Sequence, residues 1–242
     1  RGNGKSAFLV NIINRINREY CLDISEELNK CFAVYVAPEP GGRTKTFDSL
    51  VDLIFGAIYS SGIIASSLAS MRLDAIMELY PNVQIDEDDE QQLIKSLNSE
   101  KWLKDQSIDS RQLMDFIRKN EFLQKFPDTF PLFAHSHSLF SSFCSEDSFL
   151  TAYKELKKGR DKLDFVFSHL VQMFMASGFN GAYIFIDDFE RVPDFQSTRQ
   201  RRDFATELRS VLLDGPYDNA RYGFFNMFLV LHAGVPALIS EA

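Results

Sequence analysis

The sequence predicts an α/β fold, a parallel sheet layered between helices and interrupted by a mostly helical insertion, and three stretches carry that expectation. An apolar helix starts directly after Gly4-Lys5-Ser6, a short apolar strand runs Cys31-Phe-Ala-Val-Tyr-Val-Ala37, and a second strand ending Ile184-Phe-Ile186 leads straight into Asp187 and Asp188. Nearly continuous apolar strands are the mark of a parallel sheet, because the crossover helices bury both of its faces. With 242 residues, 45% of them hydrophobic, the chain holds enough apolar mass for one large α/β domain or two small ones.

Gly4-Lys5-Ser6 has the form of the end of G-x-x-x-x-G-K-[ST], a phosphate-binding loop. In that loop glycines let backbone N–H groups wrap the phosphates, the lysine reaches the β and γ oxygens, and the hydroxyl ligates Mg2+. Gly2, Asn3, Gly4, Lys5, Ser6 and Ala7 are therefore the candidate nucleotide-binding residues, with Lys5 also a catalytic cation and Ser6 a metal ligand. A helix from Ala7 to about Arg18 presents its positive N-terminus to the same phosphates, and Phe8, Leu9, Ile12, Ile13 and Ile16 have the spacing of one buried face. The leading glycine of the motif would fall two residues before Arg1, and the strand that feeds such a loop is absent. The sequence is thus expected to be cut from a longer chain at both ends.

The strand at Cys31–Ala37 closes in Pro38-Glu-Pro-Gly-Gly42, and Thr46 is placed to cap a helix through about Tyr59 with Phe47, Leu50, Val51, Leu53, Ile54 and Ile58 inside. From residue 60 to about 160 the strand-helix alternation lapses. Helices are expected around Ser66–Leu79, Glu90–Leu97 and Ser110–Leu123, so 1–59 and 161–242 form the core and 60–160 a helical insertion. The acidic run Asp86-Glu-Asp-Asp-Glu90 reads as a solvated loop and helix start, since a Ca2+ loop needs alternating ligands and a glycine turn. His135 and His137 lack a zinc ligand set. Periodicity returns with a helix at Leu163–Ser177, ended by Gly178.

The stretch Asn180-Gly-Ala-Tyr-Ile-Phe-Ile-Asp-Asp-Phe-Glu190 is the most informative, an apolar strand running into carboxylates in the manner of a Walker B strand. Such a strand lies beside the phosphate loop, so Asp187 is the candidate partner of Ser6 at the metal. Asp188, or else Glu190, is the candidate catalytic group that orients and activates the attacking water. If the strand continues, alternation sends Asp188 to the opposite side from Asp187. The competing reading is a buried strand that simply ends in a polar turn. Both motifs fall at element junctions, and together they favour a three-layer P-loop NTPase core using ATP and Mg2+. No N-K-x-D base-reading motif is present, which tilts the base from GTP to ATP.

A net charge of −8 argues against an overall nucleic-acid footprint while leaving room for a local basic groove. Cys21, Cys31 and Cys144 are an odd number without C-x-x-C spacing, which points to structural thiols in a reducing, cytoplasmic setting. No apolar run approaches the length that spans a bilayer, so no membrane partner is expected.

The two motifs and the elements between them resemble the additional-strand P-loop NTPases, the AAA+ ATPases and the related STAND and KAP signalling ATPases, over residues 1–59 and 161–242. The resemblance implies a helix at Gln200–Leu213 and a further strand at Phe225–Leu231 ending at a sensor position, here His232, where AAA+ proteins more often carry Asn, Ser or Thr. Ile186-Asp-Asp-Phe-Glu-Arg191 is similar to the D-D-[LF]-[DE]-R signatures of KAP and STAND proteins. Gly178-Phe-Asn-Gly181 and Ala233-Gly-Val-Pro236 resemble large bacterial antiviral-defence ATPases, among them the RADAR type, in which an ATPase works with an adenosine deaminase. The likeness implies a homo-oligomeric ring with an effector, a deaminase or a nuclease. Lys5 and Asp187 are separated by 181 residues, more than one strand and two helices require, and the likeness leaves the insertion unexplained.

Arg191, Arg199, Arg201, Arg202 and Arg209 surround the helix after Asp187, where they would form a solvated face balanced by Asp203 and Glu207, or touch a neighbouring subunit or a nucleic-acid backbone. The rival to turnover is a nucleotide-gated scaffold or switch that recruits an effector with little or no hydrolysis. A small-molecule kinase is a third reading, which the long insertion weighs against.

Overall fold

The computed structural model describes residues 4–21, 30–85, 89–123, 140, 143–157 and 159–231. Gly2, Asn3, Asp86, His135, His137, His232 and the run Ala233–Pro236 lie outside the described residues. The fold is mixed α/β, with helices packed around a three-stranded parallel sheet of order β1-β2-β3.

Helix α1 (Lys5–Tyr20) opens the described chain and packs on β1 (Lys30–Val36). The expected start at Ala7 is two residues late, because Gly4 takes a left-handed conformation (φ 68°) that turns the chain directly into the helix. Asn17 ties α1 to the sheet: its amide donates to the Ala33 carbonyl at 2.9 Å and accepts from the Ala33 N–H at 2.7 Å. One side chain thereby satisfies both backbone groups that β1 would otherwise leave unpaired there.

Thr46 caps α2 (Phe47–Ser60) through a reciprocal capping box with Ser49. Leu50, Val51, Ile54 and Ile58 are fully buried along its inner face. After Gly62 the chain enters α3 (Ile63–Leu79), followed by α4 (Glu90–Leu97), α5 (Glu100–Asp105), α6 (Ser110–Ile117) and α7 (Glu146–Glu155). Asp89, Ser99 and Asp109 each cap a helix with a side-chain oxygen, which is why this polar region breaks into short helices. The third expected helix of this region ends at Ile117 rather than Leu123, giving way to hydrogen-bonded turns at Arg118, Lys119 and Asn120. One apolar cluster runs from the sheet through α2 into α3, α4, α5 and α6.

The helix before β2 is less regular than its periodicity suggests. α8 (Gly159–Asp164) passes through a π-helical turn (Phe165–His169) into α9 (Leu170–Ala176), and every residue of that turn is buried. The widened turn admits Phe165, Phe167 and His169 to the core together. Gly178 (φ 87°) then feeds β2 (Phe179–Ile186). Two 3-10 turns, Phe189–Arg191 and Pro193–Phe195, lead to α10 (Thr198–Arg209), a second π turn (Ser210–Asp214), α11 (Asp218–Tyr222) and β3 (Phe225–Leu229).

Strand alternation divides the sheet. Phe32, Val34, Val36, Ala182, Ile184 and Ile186 join the large cluster with α2 and α9, while Ala33 and Phe185 meet Leu9 and Ile13 of α1. Among the described residues no single helix is long and apolar enough to cross a membrane. α2 and α3 pass only as a pair bent by 54°, and the apolar residues facing inward on both belong to the core.

Candidate functional site

Parallel strands deliver the residues after them to one end of a sheet, and a helix that packs along the sheet presents one of its termini there. β1 and β2 are in register from Cys31 opposite Gly181 to Val36 opposite Ile186, and the Asp187 N–H bonds the Val36 carbonyl at 2.9 Å. Asp187 therefore emerges from the C-terminal edge of the central strand, 1% exposed.

The N-terminus of α1 reaches the same point. Ser6 Oγ donates to Asp187 Oδ2 at 2.5 Å, although 181 positions separate them in sequence. Tyr35, near the end of β1, donates its phenolic O–H to the same Oδ2 at 2.8 Å, and Oδ1 accepts the Asp188 N–H at 3.0 Å. Burial would by itself raise the Asp187 carboxyl. The hydrogen bonds from Ser6, Tyr35 and the Asp188 amide, with the charge of Lys5, outweigh it and hold the carboxyl below the usual carboxylate range. The Tyr35 phenol moves up, by burial first and then by its bond to Asp187.

Lys5 Nζ is buried and has no hydrogen-bond partner among the described residues. The ammonium acts on Asp187 through its charge but makes no hydrogen bond to it, so its donors are left for further anionic oxygens. The first turn of α1 contains no acidic residue and Gly4 offers no side-chain cap, so among the described residues no side chain caps its leading N–H groups. A Cβ added at Gly4 would meet nothing within 4 Å, and Gly4, Ser6 and Ala7 are exposed. Open amides at a helix N-terminus and an orphan ammonium suit a phosphate chain.

The donor set also fits a hard divalent cation. Ser6 gives its proton to Asp187, so the lone pairs of its oxygen remain free. Mg2+ is usually held by one or two carboxylates, substrate phosphates and waters rather than by an all-protein cage. No group of three or more His, Cys, Asp or Glu able to hold a metal occurs among the described residues.

Asp188 departs from the extended-strand expectation. β2 ends at Ile186, and Asp188 adopts a left-handed conformation (φ 47°), so a tight turn and not strand alternation sets its direction. Aspartate tolerates this conformation better than most residues. Its carboxylate is ion-paired with Arg191, whose other terminal nitrogen donates to the Pro38 carbonyl at 3.3 Å. Glu190 sits in the following 3-10 turn, half-buried. The loop after β1 and the segment after β2 are joined further: Gln196 Nε2 donates to the Lys45 carbonyl at 2.7 Å, and Gly42 (φ 75°) lies so close to Phe195 that a Cβ there would come within 2.9 Å of it.

The geometry thus brings Lys5, Ser6 and Asp187 together, with Asp188 beside them. Tyr35 and the pairing of Arg191 with Asp188 are additions to the sequence reading. Tyr35 had a visible signal: it carries the single polar tip within an otherwise apolar run, on the face of β1 that alternation turns toward α1. The three cysteines are free, and burial pushes Cys21 up to about 12 and Cys144 up to about 11, which disfavours the thiolate in both. Comparison of the chain with protein-family models, with curated proteins and with solved structures returned no match.

Proposed function

We propose that the chain is the core of a P-loop NTPase that binds ATP with Mg2+ and hydrolyses it. The observation that carries the reading is the Ser6–Asp187 hydrogen bond formed beside the Lys5 ammonium, which has no hydrogen-bond partner among the described residues. These residue types are chemically suited to a phosphate and its counter-ion, and they come from the two motifs that the sequence singles out.

In this reading the amides of Gly4 to Ala7, with Gly2 and Asn3 before them, cradle the phosphates, and Lys5 offsets γ-phosphate charge. Ser6 and Asp187 hold the cation, which when bound neutralises charge developing on the transferred phosphoryl group. Asp188 orients and deprotonates the attacking water, with Glu190 as the alternative base and His232 as the sensor. By the resemblance, we propose a cytoplasmic homo-oligomeric ring in which residues 60–160 form an insertion on the core and turnover drives assembly or conformational change with an effector, in antiviral defence. The contacts of residues 38–45 with the segment after β2 give nucleotide state a route to the surface.

The alternative is a nucleotide-gated switch with little turnover, and one observation favours it: the carboxylate of Asp188 is occupied by Arg191. Phosphate release from ATP separates the two. Lys5→Ala and Asp188→Asn are each expected to lower turnover about 100-fold or more, the usual worth of a phosphate cation or a positioned base. ATP binding without turnover in the wild type moves the conclusion to the switch, and absence of ATP binding overturns the P-loop reading.

A further inference from the structure

Within the proposed metal–nucleotide site, one polar contact belongs to neither phosphate-binding motif. The Asp187 carboxylate can turn about its terminal bond, and its two oxygens are equivalent until something distinguishes them. Oδ1 is fixed by the N–H of the next residue, at 3.0 Å. Oδ2, the oxygen that accepts the Ser6 hydroxyl, is shared with Tyr35 at 2.8 Å.

Tyr35 is well placed to do this without moving. Its register partner on the central strand is Phe185, two residues before Asp187, and its ring packs at the margin of the small cluster formed by Leu9, Ile13, Ala33 and Phe185. The ring is thereby held between the helix that carries Ser6 and the strand that carries Asp187, with its O–H at the end of the sheet where both arrive.

We propose that Tyr35 is a positioning residue for the divalent cation: by donating to Asp187 Oδ2 it fixes the carboxylate rotamer and so keeps the Ser6 hydroxyl donating its proton to Asp187, which would leave the serine oxygen's lone pairs to hold the cation. The inference rests on the P-loop reading of the site. Partners of this kind, one step removed from a metal, typically change affinity by about 10- to 100-fold when deleted. The role is specific to the cation. Among the described residues the phenol of Tyr35 reaches Asp187 and the Ser6 hydroxyl but makes no hydrogen bond to Lys5 Nζ or to the α1 amides, so phosphate binding without metal is expected to change little when it is removed.

The test is Mn2+ binding, read by electron paramagnetic resonance in the presence of a non-hydrolysable ATP analogue, beside binding of a fluorescent ATP analogue in EDTA. Tyr35→Phe is expected to weaken Mn2+ about tenfold while the EDTA affinity stays within about twofold of wild type. Tyr35→Leu, which also removes the ring, should show at least the same Mn2+ loss. Mn2+ affinity at or above the wild-type value in either variant overturns the inference while the P-loop reading stands. Equal losses with and without metal also overturn it, since a packing defect moves both. A wild-type protein that binds no nucleotide in either condition fails the P-loop reading itself, and the Tyr35 role falls with it.

Discussion

The two faces of the sheet differ in how they are held. On one, Phe32, Phe174, Phe179, Phe224 and Phe225 form a continuous ring cluster with centroid separations from 4.8 to 6.5 Å, backed by the fully buried face of α2. On the other, α1 is the helix that packs there among the described residues, and its fully covered contacts reduce to Leu9, Ile13, Ala33 and Phe185. Phe8 of the same helix is 64% exposed, and Phe228 of β3, stacked on Phe185, is 46% exposed. The thick face holds most of the buried apolar side chains, and the thin face carries the helix that bears Lys5 and Ser6. The proposed nucleotide site is therefore mounted on the more lightly attached element, the kind of element from which ligand-binding parts are usually drawn.

The largest expected effect tests the thick face. Phe174→Ala removes a ring in contact with four others and should cost roughly 3–5 kcal/mol in urea unfolding, the usual range for a large aromatic deleted from a packed core. Ile13→Ala, on the thin face and 7% exposed, should cost about 2 kcal/mol, at the low end for its type because α1 has room to settle. Equal costs would mean that the two faces are equally packed after all.

A smaller effect should fall on the joint between α1 and the sheet. Asn17→Ala leaves the Ala33 N–H and carbonyl without their partner, which costs about 1–3 kcal/mol where such groups are shielded from water. Because α1 also bears Lys5 and Ser6, the same variant should weaken ATP binding, whereas Phe174→Ala should leave ATP affinity of the folded fraction unchanged. If Asn17→Ala loses stability with no change in ATP affinity, the helix and the site are uncoupled.

How much of this is legible in the sequence depends on the kind of signal. The bounds of β1, α2, α4 and β2 agree with the sequence expectation within a residue or two, because each combines an apolar period with a cap or glycine at its boundary, as Thr46, Asp89 and Gly178 show. The partnership of Ser6 with Asp187 is legible as chemistry, since each motif implies the other. Periodicity does not show the two π turns: the first buries all of Phe165–His169, whereas the second, Ser210–Asp214, buries only Val211 and has no packing explanation. The left-handed turn at Asp188 is hidden for a similar reason: an aspartate reads the same at a strand end and in a turn. Tyr35 shows in the sequence only as a polar tip in an apolar strand, and its partner Asp187 lies 152 positions away; Arg191 is three residues from Asp188, but its second tie, to Pro38, spans 153 positions.

The smallest effect concerns how each face treats an ionisable group. The thick face buries His169, 1% exposed and stacked on Phe165, where burial lowers the imidazole to about 3. The thin face keeps Asp187 charged, with its carboxyl below the ordinary range. Both groups make the folded state reluctant to take up a proton, so both lose stability as pH falls, but in different windows. For His169 the unfolded chain begins to bind a proton near the ordinary pKa of 6.5 while the folded chain does not until about 3, and stability declines between those limits. The stability that Asp187 contributes is fully present above the ordinary carboxylate value of 3.8 and is lost only as pH falls below it. Asp164, raised to about 6 by burial, acts in the opposite sense, since its folded form binds a proton more readily and gains stability as pH falls through that value. Urea unfolding at about pH 6.5 and about pH 5.5, in wild type and His169→Gln, isolates the histidine because Asp164 is common to both. The wild type should lose about 1 kcal/mol more than the variant over that interval, close to the limiting slope of one proton. Identical slopes would place the His169 imidazole in contact with solvent or with a compensating charge, and the thick face would then be less dry than its packing implies.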